Sequence, residues 1–233
     1  DATAGTDIAD SSDSAHTITA VGNAAVKDFN ADGNSIVNYS GFFPNSIAAR
    51  LSVADSTDWD FGTGDFTFEC YVFPSDITTN QMLFSSYISA TARLMLYISG
   101  GYLKLYVSDG SSTEVVTTTL LDINSWNHVA FIKVGNKVAT YVNGIQGSYF
   151  FNFTTDTFAG PLVIGRYESG ASFYLTGNID EPRVQADNYF LAAPNSFPAA
   201  PLLLYGEGVN GAVTMSNDGY NAGSVTMANG AKL

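Results

Sequence analysis

The chain is 233 residues long, more than most single domains but ordinary for one all-β sandwich, and one hydrophobic core suffices at this size. Nine Lys and Arg stand against 22 Asp and Glu, and the net charge of −13 sets up a field that repels phosphate backbones and argues against a nucleic-acid partner. No apolar run approaches the ~20 residues of a membrane span, and a lone cysteine, Cys70, excludes an intrachain disulfide.

Charged residues make up only 13% of the chain, so Ser, Thr, Asn and Tyr must dress much of the surface, as in extracellular, cell-surface and virion proteins. The chain opens DATAGTD, without an initiator Met or a signal peptide, which reads as a processed chain or an excerpt. Residues 1–15 read as surface loop, and His16 to Val21 as a short edge strand. Residues 22–34 read as polar loop with a turn at Asp32-Gly33, and Ala48 to Val53 alternates as a strand.

Asp58 to Phe73, DWDFGTGDFTFECYVF, is the stretch around which the other strands are organised. Its first half is turn chemistry: Gly62 and Gly64 flank Thr63, and Asp58, Asp60 and Asp65 can bond their own backbone. Its second half has period two. Phe66, Phe68, Cys70 and Val72 point one way, and Thr67, Glu69, Tyr71 and Phe73 the other. That pattern predicts a central strand with one face in a dry core, where Cys70 acts as a small hydrophobe.

Pro74-Ser75-Asp76 ends this strand. Met82 to Tyr87, Arg93 to Ile98 and Tyr102 to Val107 come next, the last two joined at Gly100-Gly101. After a turn at Asp109-Gly110 come Glu114 to Thr119, Asn127 to Val134 and Lys137 to Val142. Two-residue turns fall at Gly135-Asn136 and Asn143-Gly144. Leu162 to Gly165, Asn178 to Val184 and Leu202 to Tyr205 complete the set. No stretch holds a helical apolar period, so the expected fold is an all-β, antiparallel two-sheet sandwich.

Residues 1–185 form the expected domain, and residues 186–201, with three prolines, a linker. Residues 202–233 echo the start of the chain: SVTMANGAKL from Ser224 lies over TITAVGNAAV from Thr17. The tail thus looks like the opening of a second copy, with Leu202, Leu203, Leu204 and Tyr205 as an added strand.

TDWDFGTGDFTFECYVFPS, SWNHVAFIKVGNKVATYVNG and GNIDEPRV, in that order and spacing, resemble the laminin-G-like, concanavalin A-type lectin jelly roll. The WDFGTGDFT phrase and the linker into a further LLL strand resemble the tandem copies in bacteriophage tail-fibre and virion proteins. The resemblance implies a sandwich used for glycan or surface recognition, or as spacer architecture, often with one structural calcium. Asp180 would then be a calcium ligand, with Asp1, or with Glu207 if the tail strand fills the gap before Asp1. A solvated acid is an equally weighted reading of each. In such domains an aliphatic residue usually stands where this chain has Pro182, which predicts an edge or a bulge there.

If the first strand is missing, Leu202 to Tyr205 can close the chain's own sheet or a neighbour's, or be a remnant of a cut array. The expected function is a non-catalytic extracellular or virion structural or adhesion module that assembles through this strand, with a homo-oligomer or tandem neighbour as partner. The alternative is a lectin-type adhesin that binds a glycan and carries a calcium site. For glycan stacking the expected residues are Tyr87, Tyr167 and Tyr174, with Phe173, near strand ends, although aromatics in β-proteins more often pack. No catalytic residues are expected. Trp126 and His128 read as positioned strand-end residues, His16 lies in a polar loop, and no nucleophile elbow accompanies them. Glu69 is alone on its strand, and Asp180 and Glu181 alternate faces, so the paired carboxyls of a retaining glycosidase are lacking. The DSSDS run at residues 10–14 lacks an EF-hand pattern.

Overall fold

The computed structural model describes residues 8–28, 39–46, 48–108, 112–150, 160–169 and 173–186. The tail strand, the linker beyond residue 186, Asp1, Glu207 and the turns at Asp32-Gly33 and Asp109-Gly110 lie outside these residues.

Among the described residues fourteen strands appear in order: β1 (Ile18–Val21), β2 (Ala25–Asp28), β3 (Tyr39–Phe43), β4 (Arg50–Val53), β5 (Phe66–Pro74), β6 (Gln81–Ser89) and β7 (Ala92–Ser99); then β8 (Tyr102–Ser108), β9 (Ser112–Leu120), β10 (Asn127–Val134), β11 (Lys137–Val142), β12 (Ile145–Phe150), β13 (Leu162–Ile164) and β14 (Gly177–Gln185). They form two seven-stranded sheets, ordered β1-β4-β13-β6-β7-β8-β9 and β12-β11-β10-β5-β14-β3-β2. Every pairing is antiparallel. The fold is the expected all-β jelly-roll sandwich, and β5 lies at the centre of its sheet.

Phe66, Phe68, Cys70 and Val72 are each at most 3% exposed and face Phe84, Leu94, Leu96, Leu103 and Leu105 of the other sheet in one core. Burial pushes the Cys70 thiol well above its ordinary pKa, so it is inert while the fold holds. The opposite face of β5 is drier than its alternation suggests. Tyr71 and Phe73 are half-buried, but Thr67 and Glu69 are buried. Two short strands, β2 and β3, occupy ground read as loop or left unassigned, and β12 extends the hairpin after Asn143-Gly144.

The turn before β5 is closed by long-range bonds. Ser56 Oγ accepts from the Asp58 amide to start a single 3-10 turn, Thr57–Trp59. The Trp59 indole donates to the Gly160 carbonyl at 2.8 Å, and Phe61 stacks on Phe66 at 4.7 Å. Lys133 takes a core-facing position at the end of β10, where its buried ammonium donates to the Thr63 and Gly64 carbonyls at 2.7 and 2.9 Å. Asp65 accepts from the Gly135 amide at 2.7 Å. The Gly-rich turn is thereby fastened to the β10–β11 hairpin.

Pro182 lies at a bulge, as expected. The β14–β5 register shifts between Asp180 and Arg183, and Glu181 has φ +46°. β3 pairs β14 only over Gly177–Ile179, so Pro182 lies at the bulge and past the reach of β3, where its missing amide leaves no ladder bond open.

Candidate functional site

Three connections at one end of the sandwich surround a cleft of about 550 Å³, lined by Asn45, Asp76, Thr78, Thr79, Asn80, Phe173 and Tyr174. Asn45 belongs to the β3–β4 connection, Asp76 to Asn80 to the β5–β6 loop, and Phe173 and Tyr174 to the segment entering β14.

Asp76 builds the middle wall. Its Oδ1 accepts from the Thr78 amide and hydroxyl, each at 2.7 Å, and its Oδ2 accepts from the Thr79 hydroxyl and from Gln81 Nε2. These bonds, the Thr79 hydroxyl foremost, hold the Asp76 carboxyl down at a pKa of about 2. Gln81 Oε1 accepts from the Thr176 amide at 2.6 Å, and the Ser75 amide donates to the Thr176 carbonyl at 2.8 Å. These bonds fasten the β5–β6 loop to the segment entering β14.

The sign of the Asp76 shift fixes a pH window. The folded value lies below the ordinary 3.8, so the network stabilises fully above that pH and is lost as pH falls through about 2. A carboxyl carbon titration by NMR should show Asp76 titrating near 2, and a midpoint close to 3.8 would mean the loop bonds do not form in solution. Asp76→Asn should release the Thr78 and Thr79 amides to fast hydrogen exchange.

The other wall is a narrow hairpin. The Gly165 amide donates to Leu83, the Leu175 amide to Gly165 and the Tyr167 amide to Phe173, at 2.8 to 3.0 Å. Gly165 has φ +85°, and a Cβ there would lie 2.2 Å from the Phe43 ring, so only glycine lets this hairpin sit against β3. Phe173 has φ +73°, an uncommon conformation for an aromatic residue, and its ring packs 5.5 Å from Tyr97.

Among the described residues no protein group takes the side-chain amides of Asn45 and Asn80 or the Tyr174 hydroxyl. Each amide offers donor and acceptor together. The cleft therefore combines aromatic surface with unengaged neutral polar groups on a fixed loop, and it can hold a small polyhydroxylated ligand.

Of the aromatics expected at a glycan site, Tyr174 and Phe173 line this cleft. Tyr87 and Tyr167 do not. They meet edge to face at 5.6 Å on the outer face of the β6–β7–β8 sheet, in a cluster with Met82, Met95, Tyr97, Tyr106 and Phe173. Asn45, Asp76, Thr78, Thr79 and Asn80 were not anticipated. Their signal is the Asp76-Ile77-Thr78-Thr79 run, an Asx-turn sequence directly after a strand-ending Pro74.

Asp180 lies on the outer face at the bulge, where its Oδ1 accepts from the Glu181 amide at 3.0 Å. Among the described residues no group of three or more His, Cys, Asp and Glu could hold a metal ion. Two side chains have partners that the sequence did not show. Glu69, the one acid of β5, meets His128 Nε2 at 3.0 Å and Arg183 Nη1 at 3.2 Å, from strands on either side. His16 likewise has an acidic partner, Asp58, at 2.8 Å.

A sandwich of two seven-stranded antiparallel sheets with a loop-built cleft at one end defines a lectin-type jelly roll. Residues 46–188 match the laminin-G family model described as the Concanavalin A-like lectin/glucanases superfamily, and the chain belongs to that family. No curated protein matches the chain. Among solved structures it is similar to domain 4 of AbnA, a GH43 extracellular arabinanase from Geobacillus stearothermophilus, in complex with arabinotriose. That likeness has 17% identity, a TM-score of 0.58, and covers 74% of this chain and 82% of that one. It is also similar to the binding domain of botulinum neurotoxin serotype G, at 13% identity and TM-score 0.59, covering 77% of this chain and 45% of that one. The botulinum neurotoxin DC binding domain in complex with SialylT is similar at 12% identity and TM-score 0.57, covering 79% and 47%. The chain therefore spans under half the length of those toxin domains. At these identities the likeness is one of fold. Among the described residues no helix is long and apolar enough to cross a membrane.

Proposed function

We propose that the chain is a non-catalytic, extracellular or surface-borne carbohydrate-binding module, and that its ligand enters the cleft between Asp76–Asn80 and Phe173–Tyr174. One observation carries this reading: the unengaged amides of Asn45 and Asn80 converge with the Tyr174 ring on one cleft, beside the Asp76 hydrogen-bond network. Vicinal sugar hydroxyls pair with an amide's donor and acceptor, and a pyranose or furanose face lies on an aromatic ring. The sugar complexes of the arabinanase domain and a toxin binding domain support this class of ligand.

Retention on immobilised neutral oligosaccharides tests it. Tyr174→Ala and Asn80→Ala should each weaken binding roughly tenfold or more with the melting temperature held. Failure of the unmodified chain to bind any sugar would overturn the reading. The calcium implied by the family likeness would draw on Asp180 with Asp1 or Glu207, and would play a structural part rather than react. An architectural role in a virion or fibre, with Leu202 to Tyr205 completing a sheet, is the second reading. It rests on the sequence of the tail, and sizing of the chain with and without residues 202–233 decides it.

A further inference from the structure

We propose that the outer face of β6 to β8 is a second subsite, joined to the cleft through Phe173, and that Arg93 there binds the carboxylate of an acidic sugar. The inference rests on the carbohydrate reading above and adds the ligand's charge to it.

Arg93 projects outward from β7, directly across from Tyr87 of β6. Its Nη1 donates to the Tyr167 hydroxyl at 2.8 Å and its Nη2 to the Tyr106 hydroxyl at 3.2 Å, while the guanidinium lies 5.0 Å over the Tyr106 ring. The Tyr106 hydroxyl, and then that of Tyr167, raise the pKa of Arg93 further. A guanidinium only donates, so both phenol oxygens are acceptors in these bonds. The Tyr167 hydroxyl proton must then point elsewhere, as a donor beside the cation. Two orienting bonds and a ring contact fix the fork before any ligand arrives.

The charge on this face is unbalanced. The chain carries a net −13, yet among the described residues Arg93 has no carboxylate within ion-pair distance. The nearby acids are engaged elsewhere: Glu114 accepts from the Tyr97 hydroxyl at 2.7 Å and from Lys104 at 3.3 Å, and Glu168 pairs with Arg50 at 3.4 Å. Holding two tyrosines in place needs only a neutral donor. A half-buried, preoriented cation without a counter-ion suits an anion, and beyond its phenol bond each Nη keeps one N–H for a carboxylate oxygen. Around it the Tyr87 and Phe173 rings give flat apolar surface for the sugar itself. Phe173 belongs both to this cluster and to the cleft wall, so one oligosaccharide can engage the two.

Calorimetry on the full chain with oligogalacturonate and its methyl ester tests the proposal, because the two ligands differ at the carboxyl group alone, where the ester has lost its charge. The free acid should bind roughly tenfold or more tightly than the ester, and the difference should shrink as salt is added. Arg93→Gln should collapse the ratio toward one, and Arg93→Lys, which keeps charge but loses the fork, should leave it reduced. If Arg93→Gln fails to fold, Tyr106→Phe, which removes one orienting hydroxyl and keeps the ring, should still lower the ratio. Equal affinity of the unmodified chain for acid and ester, or a ratio untouched by the variant that folds, overturns the subsite and leaves the cleft reading intact. Binding of neither ligand, with retention on neutral sugars, overturns it as well; no binding to any sugar removes both readings.

Discussion

Replacing Trp59 by alanine is expected to destabilise the fold by about 3–5 kcal/mol, the range for emptying a buried aromatic site. The side chain is 5% exposed, and its indole reaches from the 3-10 turn across to the segment before β13. Alanine would leave a cavity beneath His16, whose ring lies 4.9 Å away, and an unpaired carbonyl on buried Gly160. Trp59→Phe separates the two terms. It keeps most of the volume and loses the bond, so about 1–2 kcal/mol should go. Urea unfolding checks this through a lowered midpoint with an unchanged slope. A Trp59→Ala chain as stable as the original would mean that the Asp-rich turn does not anchor the sandwich.

How far the sequence carried the fold depends on the kind of strand. β5 was legible because Phe66, Phe68, Cys70 and Val72 alternate onto one buried face, and β10 and β11 because Gly-Asn and Asn-Gly turns bound their apolar runs. β1 was legible as an edge for the opposite reason, since its apolar alternation is weak and a single neighbour, β4, suffices. β2 and β3 escaped. AVKD is four residues long, and YSGFF puts Gly41 where an apolar side chain would have marked the period. An edge or a bulge at Pro182 was expected from the family likeness, because a proline there lacks the amide that a ladder bond needs.

The site was legible only in its aromatic half. Tyr174 and Phe173 could be picked as ring-bearing residues near a strand end, but Tyr87 and Tyr167 had the same local signature and serve the outer cluster. What separates Tyr174 from Tyr87 and Tyr167 is the partner each ring meets, with Phe173 shared by cleft and cluster, and that depends on β6 lying beside β7 and β13. The polar half is set by folding of the β5–β6 loop onto the hairpin through Gln81 and Thr176, a contact between residues far apart in the chain. Asp76 looked like a strand terminator because nothing local shows that its oxygens would be filled by Thr78, Thr79 and Gln81.

The same failing of local reading makes Glu69 the most informative second substitution. Along β5 it has no acidic or basic companion, yet it is 5% exposed and holds His128 from β10 and Arg183 from β14. Its two oxygens serve one partner each, so it is the tie between three adjacent strands rather than a group poised toward solvent. Glu69→Ala should cost about 1–3 kcal/mol, because it removes the buried carboxylate that meets the His128 ring nitrogen. Arg183→Ala should cost less than about 1 kcal/mol, since its side chain is 41% exposed and water replaces the carboxylate. Glu69→Gln keeps the volume and loses the charge, and should fall between the two. A Glu69 that served catalysis would reverse this ranking, with little loss of stability and total loss of sugar hydrolysis. Denaturant midpoints for the three variants, measured beside a reducing-sugar assay on the unmodified chain, distinguish a structural tie from an acid that acts on substrate.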